Sequence, residues 1–394
     1  MSQPSGPIRL GQIEPNASKP AIDSGAAPAA ARPATDDAAV PTREQTTNED
    51  AARSGRLLAQ QLEEQGYHPV FIFGTAFAGK TAMLSSMLAY PQAGVAAEQV
   101  EIALGDPLLP LDDAYGRNSF EYAEYIFNHA VQHYMDGMVE ASSQYQEPFF
   151  VPIILRPHNG PEVKIAFLES RGEWFEPRHE TNALFQPLKA EISGVLKHFG
   201  RGISMIYVAP FTQVKLWDDD DSAHGASDVQ LIKTANLGIR GGIQSYTKVR
   251  PSRDRDAHMF LITKWDAHAQ PGADLELFNA PTEEQIVQVA RMKYTTAYSA
   301  FQSMVTSAQT PWQKTVRHYC AGTISGREIL RPNESNADII YGFPRRLWNW
   351  IYANATRDSG GSERLLYLPP PAPPRTLTAR WNSQVERLLK LLGV

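Results

Sequence analysis

Residues 67–81 read Tyr67-His68-Pro69-Val70-Phe71-Ile72-Phe73-Gly74-Thr75-Ala76-Phe77-Ala78-Gly79-Lys80-Thr81, and this stretch decides the fold class. Tyr67 to Phe73 is a short apolar run, of the kind that forms a strand buried on both faces of a parallel sheet. Gly74 to Thr81 follows at once and matches GxxxxGK[ST] at every fixed position. The two glycines let the backbone curl and turn its N–H groups toward a phosphate. The helix expected to follow, beginning Thr81-Ala82-Met83-Leu84, adds the positive end of its dipole. In such a loop Lys80 reaches the β- and γ-phosphates and the Thr81 hydroxyl binds Mg²⁺. Gly74, Thr75, Ala76, Phe77, Ala78 and Gly79 line the cradle. A strand before the loop and a helix after it are the context the motif requires.

Outward from this unit, apolar runs alternate with helical patterns. A helical stretch with Leu57, Leu58 and Leu62 on one face precedes the first strand. Residues 119–144 carry Tyr122, Ile126, Phe127, Ala130, Tyr134 and Met138 at helical spacing, inside an expected helical insertion at about 105–147. Two strand-like runs follow, Phe149–Leu155 and Val163–Leu168. The Asn159-Gly160 pair between them is a hairpin signal. Further strands are expected at Ile203–Ala209, His258–Lys264 and Val316–Ala321, a long helix at 282–307, and another at 337–353 with Trp348 and Trp350. Strands alternating with helices imply an α/β fold, a three-layer α/β/α sandwich with a mostly parallel sheet.

The chain has 394 residues, 42% hydrophobic and 20% charged, which describes a globular protein with a real core. Residues 1–52 are rich in Pro, Ala, Ser and Thr and are expected to be disordered. The folded domain is placed at 53–357, a Gly/Pro-rich linker at 358–376, and an amphipathic helix at 377–394. That last helix carries Leu377, Trp381, Val385, Leu388, Leu389 and Leu392 as one stripe. Packing back onto the domain explains the stripe, and so does docking on a protein partner. A net charge of −6 without a long Lys/Arg block gives no footprint for nucleic acid. The single cysteine, Cys320, reads as a buried strand thiol and fits a reducing compartment. No apolar run approaches the roughly 20 residues of a membrane span, so the cytoplasm is the expected location. The acidic run Asp218–Asp221 reads as solvated surface.

A second motif, Thr263-Lys264-Trp265-Asp266, ends the strand at 258–264. A carboxylate at Asp266 can accept paired hydrogen bonds from the ring N–H and exocyclic amine of guanine. Adenine offers no such pair of donors and would leave the acid unsatisfied. Here the chain resembles the Ras-like (translation-factor-related) GTPases, whose guanine motif is [NT]KxD. The resemblance covers roughly residues 67–355 and implies GTP or GDP as ligand, with Thr263, Lys264 and Asp266 at the base. It also implies a DxxG motif after the second hairpin strand. The matching stretch is Glu169-Ser170-Arg171-Gly172-Glu173. By that resemblance Glu169 lies on the Mg²⁺ side and the Gly172 N–H senses the γ-phosphate. Glu173 stands where a water-orienting Gln is frequent, and Arg171 is a candidate internal arginine finger. Thr323, after the last sheet strand, occupies the place of the family's second guanine loop.

The departures carry consequences. The acid is Glu169 rather than Asp, and no Thr occurs between Thr81 and Val163 to serve as the switch threonine. Ser119 can serve, and helix N-capping explains it equally well. Slow, Mg²⁺-dependent GTP hydrolysis coupled to a regulatory switch is the leading expectation, with regulatory proteins as partners. A P-loop ATPase or kinase, in which Thr263–Asp266 is incidental, and a nucleotide-binding scaffold with little turnover are the alternatives.

Overall fold

The computed structural model describes residues 43–92, 100–108, 120–137, 149–169, 188–211, 223–265, 282–304, 314–321, 323–324, 328–329 and 337–357. Of the sequence expectations, those on residues 1–42, the acidic run at 218–221, the linker at 358–376 and the terminal helix at 377–394 lie outside these residues. So do those on Ser119, Arg171, Gly172, Glu173 and Asp266.

Among the described residues seven strands form one sheet in the order β2-β3-β4-β1-β5-β6-β7. They are β1 (Tyr67–Phe73), β2 (Val100–Leu104), β3 (Phe149–Pro157), β4 (Val163–Glu169), β5 (Ser204–Pro210), β6 (Ala257–Thr263) and β7 (Lys314–His318). The pairs β1–β4, β1–β5, β5–β6 and β6–β7 are parallel. Only the flank formed by β2–β3 and β3–β4 is antiparallel. The β3–β4 hairpin is the one expected from Asn159-Gly160, with Phe149 opposite Glu169 and Leu155 opposite Val163.

Both faces of the sheet are buried, which is why the strands read as continuous apolar runs rather than alternating ones. Val70, Ile72, Ile165, Phe167, Ile206, Val208, Met259 and Leu261 face one core. Their neighbours Phe71, Phe73, Ala166, Leu168, Met205, Tyr207, Phe260 and Ile262 face the other. The first core is covered by α2 (Lys80–Ala89), α3 (residues 120–135) and α8 (Ala337–Thr356). The second is covered by α1 (Arg43–Glu64), α4 (Ala190–His198), α5 (Ala223–Val249), α6 (Glu283–Lys293) and α7 (Thr295–Met304). Helices on both faces of a mostly parallel sheet make an α/β fold compatible with a three-layer α/β/α sandwich.

Several local expectations change. Helix α1 begins at Arg43, ahead of position 53. Its Leu58 and Leu62 are buried, whereas Leu57 is turned outward, 47% exposed. The helix expected over 282–307 is two helices broken at Tyr294. Helix α6 opens with a reciprocal Thr282/Gln285 capping box. The break has tertiary causes. Tyr294 is fully buried with its hydroxyl donating to Pro210 O. Asn236 Oδ1, on α5, accepts from the Ala297 N–H at 2.8 Å and so caps the start of α7. The strand expected at Val316–Ala321 runs instead over Lys314–His318. Cys320 lies just beyond its end and is buried, 2% exposed. A π turn, Ile126–Ala130, interrupts α3. The two short strands β8 (Thr323–Ile324) and β9 (Glu328–Ile329) form a separate antiparallel pair.

Candidate functional site

After β1 the chain builds β2, β3 and β4 on one side of it and then crosses to build β5, β6 and β7 on the other. The carboxyl end of β1 is therefore a topological switch point, where open α/β sheets form a crevice. Residues 74–81 occupy that end. A β-carbon built on Gly74 would lie 2.9 Å from Val208 O and 3.0 Å from Val208 Cβ. A side chain there cannot clear β5, so glycine is required by close approach. Further along, Phe77 has φ 58° and Gly79 φ 84°, with Ala78 of the ordinary hand between them. Backbone of alternating hand turns successive N–H groups toward one side. The loop closes on itself through Ala78 N–H to Thr75 O at 3.3 Å. It enters α2 through Met83 N–H to Gly79 O at 2.9 Å.

Lys80, on the first turn of α2, is 7% exposed. Its ammonium donates to Gly74 O at 2.8 Å and Thr75 O at 3.1 Å, so it lies over its own loop. Thr81 Oγ1 donates to Glu169 Oε1 at 3.0 Å. The register places Glu169 there: Phe71 pairs with Leu168, so the next residue of β4 emerges beside the end of β1. Glu169 is buried, and burial pushes its carboxyl above the ordinary carboxylate range, against the opposite pull of the Lys80 charge and the Thr81 hydrogen bond. Its Oε2, like Thr75 Oγ1, is buried without a hydrogen-bond partner among the described residues.

The second motif meets the first. Thr263 Oγ1 donates to Ala78 O at 2.6 Å, with Ala209 O at 3.4 Å. Lys264 has φ 57°. Its Cγ and Cε lie 3.9 Å from where a β-carbon on Gly79 would be, so the lysine stem runs across the loop. Among the described non-glycine residues Phe77 and Lys264 are the pair with positive φ, and both border this one loop. Backbone strain concentrated in this way marks functional sites.

Lys80, Thr81, Glu169, Thr263, Lys264 and residues 74–79 are thus gathered at one end of the sheet. Asp266, Arg171, Gly172 and Glu173 lie outside the described residues, and Thr323 is placed only as a residue of β8. A helix N-terminus, a buried cation and a loop of alternating hand can together hold a polyanion. Sequence reading missed an aromatic group beside the site. Trp265 stacks on Phe211 with centroids 4.5 Å apart and planes at 19°, and His318 meets its edge at 5.5 Å. The usable signal was positional: Phe211 directly follows β5 and His318 ends β7, at strand ends where side chains converge on the crevice.

Among the described residues no group of three His, Cys, Asp or Glu side chains is arranged to hold a metal ion. No described helix is long and apolar enough to cross a membrane. No protein-family model matches the chain, and comparison with curated proteins finds no match.

Proposed function

We propose that this chain is a P-loop protein of the Ras-like (translation-factor-related) kind, a slow Mg²⁺-dependent GTPase that acts as a regulatory switch. One observation carries the reading. The hydroxyl of Thr263, in the candidate guanine motif, is hydrogen-bonded to Ala78 of the candidate phosphate loop, and Lys264 lies over Gly79. That contact joins the two candidate motifs in one crevice and supports reading them as parts of one site.

Phosphate binding would draw on the loop N–H groups, the positive end of α2 and the Lys80 ammonium, which exchanges Gly74 O and Thr75 O for phosphate oxygens. The oxygens of Thr81 and Glu169 suit a hard divalent cation, and the unpartnered, buried Glu169 Oε2 supports that fit. Bound Mg²⁺ would supply charge neutralisation at the transferring phosphoryl group. Thr81 and Glu169 would supply two protein oxygens, and phosphate and water would supply the others, the usual pattern for this ion. Lys264 would pack along the base and Asp266 would read it. Gly172, Glu173 and Arg171 keep the roles that the resemblance gives them, and a Glu at 173 in place of Gln is the reason for slow turnover. Binding of GTP would order the segments after Thr81 and around Gly172 for a partner protein.

The test is binding of GDP, GTP, ADP and ATP to the full chain, with and without Mg²⁺, beside Lys80→Ala and Asp266→Ala. The reading requires guanine preference, its loss in Asp266→Ala and loss of all nucleotide binding in Lys80→Ala. Equal or better binding of adenine nucleotides would assign the protein to the P-loop ATPases or kinases instead.

A further inference from the structure

A continuous ladder of rings and cations crosses the carboxyl ends of β5, β6 and β7. Lys293 Nζ lies 4.7 Å from the Phe211 ring centroid. Phe211 stacks on Trp265 at 4.5 Å, and Trp265 meets His318 at 5.5 Å. His318 meets Phe343 of α8 at 5.1 Å, and the Arg346 guanidinium lies 4.8 Å from that ring. Trp265 packs against both cores of the protein. It directly follows Lys264, whose left-handed backbone is costly for a residue with a β-carbon.

Ladder bonding of β6 ends with Thr263 O accepting from Phe211 N–H and Ile262 O accepting from Tyr319 N–H, each at 2.8 Å. Strand pairing of β6 ends at Thr263, and two residues on, Trp265 is stacked on Phe211 with His318 at its edge. We infer that Trp265 is the positioning residue of the base site. Gripped between Phe211 and His318, it fixes the left-handed turn at Lys264 and thereby the lysine stem across Gly79. This rests on reading residues 263–266 as the purine-recognition segment. It adds to that reading a device outside the motif's fixed letters, built from Phe211 and His318, far away in sequence.

The experiment compares binding of Mg²⁺·GDP, Mg²⁺·ADP and inorganic pyrophosphate to the full chain, wild type and variants. Pyrophosphate reports on the phosphate loop alone, so its ratio to the nucleotide isolates the base. Trp265→Ala and Phe211→Ala should each weaken the preferred purine nucleotide by about 5- to 30-fold, the effect of releasing one strained residue, and leave pyrophosphate unchanged. Trp265→Phe, which keeps a stacking ring, should bind as wild type does. An alanine variant that binds the nucleotide normally overturns the inference. So does one that loses nucleotide and pyrophosphate equally, because that pattern reports general damage. If the wild type favours ADP, the guanine reading fails while the role of Trp265 is still decided on ADP. If the wild type binds neither nucleotide, both are overturned.

Discussion

Replacing Thr263 by Val removes one hydroxyl, keeps the shape of the side chain and tests whether β6 physically braces the glycine loop. Thr263 is 2% exposed and Ala78 1% exposed, so water does not substitute freely for the lost bond. The 2.6 Å bond to Ala78 O is the short one, and the 3.4 Å approach to Ala209 O is marginal. Leaving a buried carbonyl without its donor costs about 1–3 kcal/mol. For a domain of this size that lowers the melting temperature by roughly 2–5 °C. The same bond holds Ala78, which sits between Phe77 and Gly79 with their positive φ values of 58° and 84°. A loosened loop should therefore bind pyrophosphate about 5- to 30-fold more weakly. Thermal and urea unfolding measure the first effect, and titration with pyrophosphate the second. Thr263→Ser keeps the hydroxyl and deletes a methyl, which costs about 1 kcal/mol of stability, and it should restore the loop's affinity. A Val variant as stable as wild type, with wild-type pyrophosphate affinity, would refute the bracing argument.

Glu169 gives a pH-dependent expectation. Its folded carboxyl titrates above the ordinary range because of burial, so the protonated form stabilises the ligand-free fold. That contribution is fully present below the unfolded carboxylate value and is lost as pH rises through the folded one. Wild type should thus lose stability relative to Glu169→Gln as pH rises above the ordinary carboxylate range, as followed by urea midpoints; a difference that does not vary with pH counts against it. At the opposite, amino end of the strands, Arg250 and Asp256 form a bidentate pair with both bonds at 2.9 Å and side chains 3% and 0% exposed. Arg250 also donates to Leu196 O, Phe199 O and Arg201 O. Arg250→Met strands a buried carboxylate and should cost about 3–5 kcal/mol, read as a lower urea midpoint with nucleotide affinity of the folded protein unchanged. A loss under about 1 kcal/mol would show that the pair is dispensable.

Much of the sheet was legible because its strands are short apolar runs, and a strand buried on both faces needs nothing subtler. β1, β3, β4, β5 and β6 fall within a residue or two of their expected places. β2, reading Val100-Glu101-Ile102-Ala103-Leu104, is a five-residue edge strand of which only Val100 is fully buried, and it was not expected from the sequence. Helix α5 was also missed, although Ile232, Ala235, Ile239, Ile243 and Tyr246 are buried along it. Gly238, Gly241 and Gly242 argue locally against a helix, and packing overrides them. Gly242 lies close to Phe73, whose ring a β-carbon would meet at 3.3 Å. The break at Tyr294 is of the same kind, made by Pro210 and Asn236 from other parts of the chain.

By itself the sequence determined the α/β class, the glycine loop between β1 and α2 and the strand that carries Thr263 and Lys264. These depend on residues that are neighbours along the chain, whose periodicity and backbone preferences act over a few positions. The tertiary structure alone decided that Thr263 braces Ala78, that Glu169 sits buried against Thr81, and that Trp265 is stacked between Phe211 and His318. Such contacts join residues about 50 to 190 positions apart, and closing loops of that length is repaid by burial and hydrogen bonding in the assembled fold. No local pattern in the sequence records them.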